Sequence, residues 1–175
     1  MLAMLAMLAS CSDGETCGPA GAPATGLLVS SADVTLDFGG LSSLAGNDCP
    51  DPAAPEGVVS ISLEGTQTGG PGLITLCISR PDLLEGGRSL GGATSTADVR
   101  VIDVRGTVDG CSYTADPATP PTGTATGAGV CENGTSASGF ALTVDGALGL
   151  RRTCGATVDS IAVTFRGTVA VTSRD

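Results

Sequence analysis

Apolar and polar residues alternate along much of this chain from residue 27 onward. The repeat is two residues, the period of a strand with one buried face, not the 3.6 residues of a helix. In Asp33–Phe38, Val34, Leu36 and Phe38 alternate with Asp33, Thr35 and Asp37. In Gly57–Glu64, Val59, Ile61 and Leu63 stand against Ser60 and Ser62. In Leu73–Ser79, Ile74, Leu76 and Ile78 take one face and Cys77 the other, and the turn Gly65–Gly72 joins these two runs into an expected hairpin. Leu27–Ser30 is a short apolar run, and Asp98–Asp109 reads as a long strand that Cys111–Thr114 continues. The clearest strand is the last, Ser160–Thr172, where Ile161, Val163, Phe165, Val169 and Val171 share one face with Gly167.

Between these runs the punctuation is that of turns. Thr124–Glu132, Thr135–Val144 and Ala147–Thr153 form an expected meander, with turns at Asn133-Gly134 and Asp145-Gly146, dipeptides that accept the positive φ of a type I′ turn. Gly39 to Glu56 and Pro117 to Pro121 read as loops. Pro81 to Glu85 is the one helical turn expected in the mature chain, closed by Gly86-Gly87. The pattern therefore predicts an all-β, single antiparallel domain of about nine strands, a barrel or barrel-like sandwich. An internal echo favours the barrel. Arg105-Gly106-Thr107-Val108 recurs as Arg166-Gly167-Thr168-Val169, and in that register Ile102 and Val104 match Val163 and Phe165. Both segments are long strands with an inward glycine, which lets a sheet bend sharply enough to close.

The N-terminus follows another pattern. Met1 to Ala9 is an uncharged apolar run, far short of the ~20 residues a spanning helix needs. It has the length of a secretory h-region and ends in small residues. No Lys or Arg precedes it, and the repeated Met-Leu-Ala points to a start further upstream that supplies the basic part. The stretch Leu8-Ala9-Ser10-Cys11 resembles the lipobox of bacterial lipoproteins. That resemblance implies cleavage before Cys11, a diacylglyceryl thioether on its sulfur and an acyl chain on its amine, a stable membrane anchor since two chains already suffice. It also implies a bacterial cell envelope location. In the enteric sorting rule an Asp directly after the lipidated Cys retains the protein at the inner membrane. Here Ser12 occupies that place and Asp13 the next, which favours the outer membrane. The expected organisation is a signal peptide over 1–10, a tether over 11–26 and the all-β domain over 27–175.

Composition narrows the chemistry. Aromatic residues make up 2% of the chain, so the expected core is Val, Leu, Ile and Ala. Net charge is −10 and there is no Lys, which argues against nucleic acid and against a polybasic membrane contact. With neither His nor Lys, a Ser-His-Asp triad, a Cys-His pair, a Schiff base and a Ser-Lys dyad are excluded. Glu56, Glu64, Glu85 and Glu132 are carboxylates that could in principle supply a glycosidase pair, but nothing in the sequence brings two of them together, and the sugar platforms such a site uses are almost absent. Asp48, Asp51 and Glu56 lack the spacing of a calcium loop and read as a proline-rich turn. Arg151-Arg152 is the one basic pair, and strand alternation points one side chain out and lays the other along the sheet. Asn133-Gly134-Thr135 matches a glycosylation sequon and reads as a turn. No enzyme, metal or cofactor is expected. The expectation is a non-catalytic interaction or structural module whose partner is an envelope protein. The alternative is a lipocalin-like carrier of a small apolar ligand.

Six cysteines remain after Cys11: Cys17, Cys49, Cys77, Cys111, Cys131 and Cys154. None has Cys-x-x-Cys spacing, and in an exported chain an even set reads as disulfides. If Asn133-Gly134 and Asp145-Gly146 are both two-residue turns, Cys131 falls opposite Ser136 and Cys154 opposite Ala137. Those two cysteines are then about 9–10 Å apart, too far for a bond. The expected pair is Cys111–Cys131, closed around the Pro117–Pro121 loop.

Overall fold

The computed structural model describes residues 24–46, 49, 58–79, 86–132 and 136–172. Cys11, Cys17, the expected tether up to residue 23 and the Pro81–Glu85 turn lie outside them. The described chain is all β: β1 Gly26–Ser30, β2 Thr35–Phe38, β3 Gly40–Gly46, β4 Val58–Gln67, β5 Gly70–Ser79, β6 Gly86–Gly92, β7 Val99–Val108, β8 Cys111–Ala115, β9 Thr122–Glu132, β10 Ser136–Cys154 and β11 Thr157–Thr172. They form one sheet in the order β2-β1-β11-β10-β9-β6-β7-β5-β4-β3, and β8 bridges β10 to β7. That bridge closes a five-stranded barrel, β7-β8-β10-β9-β6, with β11-β1-β2 and β5-β4-β3 as its two arms. The ladders are antiparallel except where β6 runs parallel to β7 over Leu90–Gly92.

The strand count departs from the expected nine for local reasons. β3 lies in the expected loop. A bulge at Ser42 sits between the pairs Leu41–Leu63 and Ser43–Ser62, and it breaks the alternation that marks a strand. β6 is Gly-Gly-Arg-Ser-Leu-Gly-Gly, a sequence with no strand propensity that is held by neighbours on both edges. β7 and β8 are separate strands of a tight hairpin. Asp109 and Gly110 have φ of 51° and 77°, and Val108 pairs with Cys111. Both central residues at positive φ is the type I′ turn that Asp-Gly favours.

Asp145-Gly146 is not a turn. It lies inside β10, a 19-residue strand whose ladder to β11 runs unbroken from Gly139 to Cys154. Gly146 faces the barrel interior, where the Leu90 side chain comes within 2.9 Å of the place a β-carbon would occupy. The reversal comes at Gly155-Ala156, with Gly155 at φ 59° and Cys154 opposite Thr157. Glycine at the first central position is the type II′ pattern. Nor is the β9–β10 register the expected one. Glu132 pairs with Ser136 and Cys131 with Ala137, one residue on from a two-residue connection. Asn133-Gly134-Thr135 itself lies outside the described residues.

On the expected inward face of β11, Val163, Phe165, Val169 and Val171 are buried and Ile161 is half-buried against the core. Gly167 sits in their register at φ 146°, and a β-carbon there would lie 2.0 Å from the Gly26 carbonyl oxygen. The backbone of β1 thus crosses β11 at a point only glycine leaves open. The echo strand β7 matches only from Val104 onward. Val101 pairs with Leu76 and Asp103 with Thr75, so Ile102 is a bulged residue that leaves the inward register. Val99, Val101 and Val104 are buried, while Ile102 is half-buried.

One core runs through the molecule. Phe38 and Phe165 are its largest fully buried side chains, packed with Leu27, Leu36, Ile61, Leu63, Ile74, Leu76, Leu142 and Leu150, all fully buried as well. The free edge of β2 folds over β4 and β5. Gln67, 7% exposed, accepts a hydrogen bond from the Asp37 amide through Oε1 at 3.2 Å and donates one through Nε2 to the Asp37 carbonyl at 2.7 Å. Gly65 permits the approach, since a β-carbon there would lie 1.5 Å from the Asp37 carbonyl oxygen.

Candidate functional site

The β7 bulge opens a groove on the outside of the barrel. β6 pairs with β7 over Val99–Val101 and β8 pairs with it over Arg105–Val108, so neither covers Ile102 and Asp103. One side of the gap is the turn after β6. Ser95 folds it back, with its amide and hydroxyl donating to the Gly92 carbonyl at 3.0 and 2.8 Å. The other side is the proline-rich connection from β8 to β9. The groove holds about 330 Å³ and is lined by Ala93, Val101, Ile102 and Ala115, by Pro117, Pro120 and Pro121, and by Thr94, Thr114, Asp103 and Asp116.

The proline wall is fixed in place. The Asp116 amide donates to the Gly149 carbonyl and the Gly149 amide to the Thr119 carbonyl, both at 2.9 Å, so the loop lies along β10 like a short strand. Asp116 also caps its own turn. Its carboxylate accepts from the Ser160 hydroxyl and from the Ala118 amide, at 3.0 Å for the latter. The Ser160 hydrogen bond first, then the Ala118 amide and the field of Arg151, hold this carboxyl below its ordinary pKa despite some desolvation. The second carboxylate, Asp103, is 3.0 Å from the Arg105 guanidinium. Both acids of the groove are thus engaged by the protein's own groups. What they leave is an apolar trough with a charged rim, suited to binding.

A larger recess of about 440 Å³ lies at the β2–β4 seam, between Asp37, Glu64, Pro71 and the backbone of Gly39, Gly40 and Gly65. Glu64 is the one glutamate of the four whose side chain is described. Glu56 and Glu85 lie outside the described residues, and Glu132 stands at the far end of β9. No paired-glutamate site is assembled among the described side chains. Asp48, Asp51 and Glu56, the candidate calcium ligands, also lie outside. Among the described residues no group of three or more His, Cys, Asp or Glu side chains is placed to hold a metal.

The basic pair divides as alternation dictates. Arg151 is exposed, and Arg152 turns along the sheet to grip Asp159 with Nε at 2.9 Å and Nη2 at 2.5 Å. Two disulfides are described, Cys49–Cys77 and Cys111–Cys154. The second corrects the expected Cys111–Cys131 pair. Cys111 begins β8, and β8 pairs with the far half of β10, Ser112 opposite Thr153, which brings Cys111 and Cys154 to a Cα separation of 4.4 Å. The error followed from the misplaced turn: with Asp145-Gly146 inside β10, Cys154 is carried to the other end of the molecule from Ala137.

Sequence reasoning passed over Arg100. It lies directly across the ladder from Cys77 and is 2% exposed, a guanidinium buried on the sheet face opposite the core. The signal was present as a charged residue inside Val99-Arg100-Val101. Compared with family models, with curated proteins and with solved structures, the chain matches none.

Proposed function

We propose that this protein is a lipid-anchored module of the bacterial cell envelope that binds a partner protein and catalyses nothing. The anchor is the lipid on Cys11, and the reading rests there on Leu8-Ala9-Ser10-Cys11 behind an apolar run. The binding role rests on the groove, where the protein's own groups hold both carboxylates and the exposed surface is proline and aliphatic. A rigid apolar trough with a polar rim is the common anatomy of a protein-recognition patch. Outer-membrane placement belongs to the same proposal and follows from Ser12 after the lipidated position.

A lipocalin-like carrier of a small apolar ligand is the second reading. It is favoured by the groove volume, about 330 Å³, which lies at the lower end of small-molecule sites. Against it, Leu90, Val104, Tyr113, Leu142 and Leu148 of the barrel strands are packed into the core, where such a carrier would keep space open. Two measurements test the proposal. Cells given labelled palmitate label the wild type and not Cys11→Ser; equal labelling of both removes the anchor. Native mass spectrometry of the protein from its own host shows a co-purifying protein that Pro120→Asp releases. A bound apolar small molecule instead selects the carrier.

A further inference from the structure

We propose that Cys49–Cys77 is an exchange-active disulfide, opened by an external thiol that attacks Cys49 and releases Cys77 as a thiolate held by Arg100. The proposal goes beyond the binding role and holds whatever anchors the chain. The two sulfurs differ in their surroundings. Cys77 is fully buried near the C-terminal end of β5, whereas Cys49 is half-buried. Arg100 stands directly opposite Cys77 on β7, with Nη2 2.9 Å from the Cys77 sulfur. Its Nη1 donates to the Ala93 carbonyl at 3.3 Å, which holds the guanidinium in position.

A disulfide sulfur is a weak acceptor for so strong a donor. A thiolate at the same place is a good one, because the bond becomes charge-assisted. Arginine keeps its proton in a protein, so its charge is present at any working pH. A cysteine beside such a charge becomes more acidic, and a more acidic thiol leaves faster in exchange. Access and leaving ability therefore agree on direction. The sulfur an incoming thiolate reaches belongs to Cys49, and the sulfur that leaves best belongs to Cys77.

The reactant is a dithiol. Its first thiolate forms a bond to the Cys49 sulfur as the Cys49–Cys77 bond breaks, and the electron pair goes to Cys77. Its second thiolate then attacks the reactant sulfur of that mixed disulfide and releases Cys49 as a thiolate. The dithiol is oxidised to a disulfide and Cys49–Cys77 is reduced by the same two electrons. Opening it severs residue 49 from β5, while Arg100 still holds Ala93 at the wall of the groove.

Cys111–Cys154 serves as the internal reference. The full chain is equilibrated in graded dithiothreitol, and in parallel in glutathione buffers, then alkylated and mapped by mass spectrometry. Cys49–Cys77 is expected to open at a poise where Cys111–Cys154 remains intact, with the glutathione adduct on Cys49. Arg100→Met is expected to lower the equilibrium constant for reduction about tenfold, a shift of about 30 mV. Arg100→Lys, which keeps the charge, stays nearer the wild type. An adduct on Cys77, simultaneous opening of both bonds, or an unshifted Arg100→Met midpoint overturns the proposal. If Arg100→Met does not fold, the opening order and adduct position in the wild type decide it alone.

Discussion

Gln67 does for β2 what backbone does elsewhere in this sheet. Its carboxamide presents one acceptor and one donor to Asp37 and so completes, with a side chain, a seam that no ladder closes. Leucine in its place keeps the volume and strips both partners. Gln67→Leu is expected to cost about 1–3 kcal/mol, read as a lower denaturation midpoint in urea at unchanged slope. Two carboxylates contribute to stability that is lost in acid. Asp159 is held below its ordinary pKa first by the Arg152 hydrogen bonds, and Asp116 first by that of Ser160. A carboxyl depressed in the folded state favours folding above its unfolded pKa, about 3.9. That contribution fades as pH falls through the lower folded value. The melting temperature is therefore expected to fall below about pH 4, and to fall less steeply in Asp159→Asn. An equal slope in the variant removes Asp159 from that account. At this scale the sequence spoke clearly wherever alternation held, as at Val34, Leu36, Phe38, Ile61 and Leu63, all of them buried. It was silent at Gln67 and Arg100, because the partners of a buried polar side chain depend on which strands meet across the fold.

Turn dipeptides decide which elements exist, and similar ones had opposite fates here. Asp109-Gly110 reverses the chain, whereas Asp145-Gly146 continues it. Local preference permits a turn at both. What separates them is the pairing on either side: β10 is held by β9 over one half and by β8 over the other, with β11 along its length. Such a ladder overrides a dipeptide's preference. The two sites are expected to answer differently to substitution. Gly110→Ala puts a β-carbon at φ 77° and is expected to destabilise by about 1–2 kcal/mol. Asp145→Ala removes one side of an exposed ion pair with Arg166 and is expected to change stability by no more than about 1 kcal/mol. A large loss from Asp145→Ala with none from Gly110→Ala would return the reversal to residue 145. β3 and β6 were hidden for related reasons. In β3 a bulge scrambles the period, and in β6 four glycines leave too few side chains to show one.

For the molecule as a whole, the open question of connectivity reduces to one pair. Three disulfides among six cysteines allow 15 arrangements, and the two described bonds use Cys49, Cys77, Cys111 and Cys154. On the proposed reading, with export to an oxidising compartment and the lipid on Cys11, Cys17 and Cys131 are left to each other. Cys17 lies outside the described residues, while Cys131 stands in β9 opposite Ala137. The consequence is mechanical. Cys17 is six residues from Cys11, the proposed lipidation position, so a Cys17–Cys131 bond would tie the chain beside the proposed anchor directly to the barrel and shorten the free tether to that segment. The bond closes a loop of over 100 residues, for which the chain-entropy model gives about 4–5 kcal/mol. Peptide mapping of a non-reduced digest is expected to yield one crosslinked species joining Cys17 to Cys131. Cys17→Ser is expected to expose one alkylatable thiol at Cys131 and to lower the melting temperature without disturbing the other two bonds. If both cysteines alkylate freely in the unreduced protein, no disulfide ties the proposed tether to the barrel, and residues 12–24, ahead of Thr25 and β1, give the proposed anchor a reach of about 45 Å when extended.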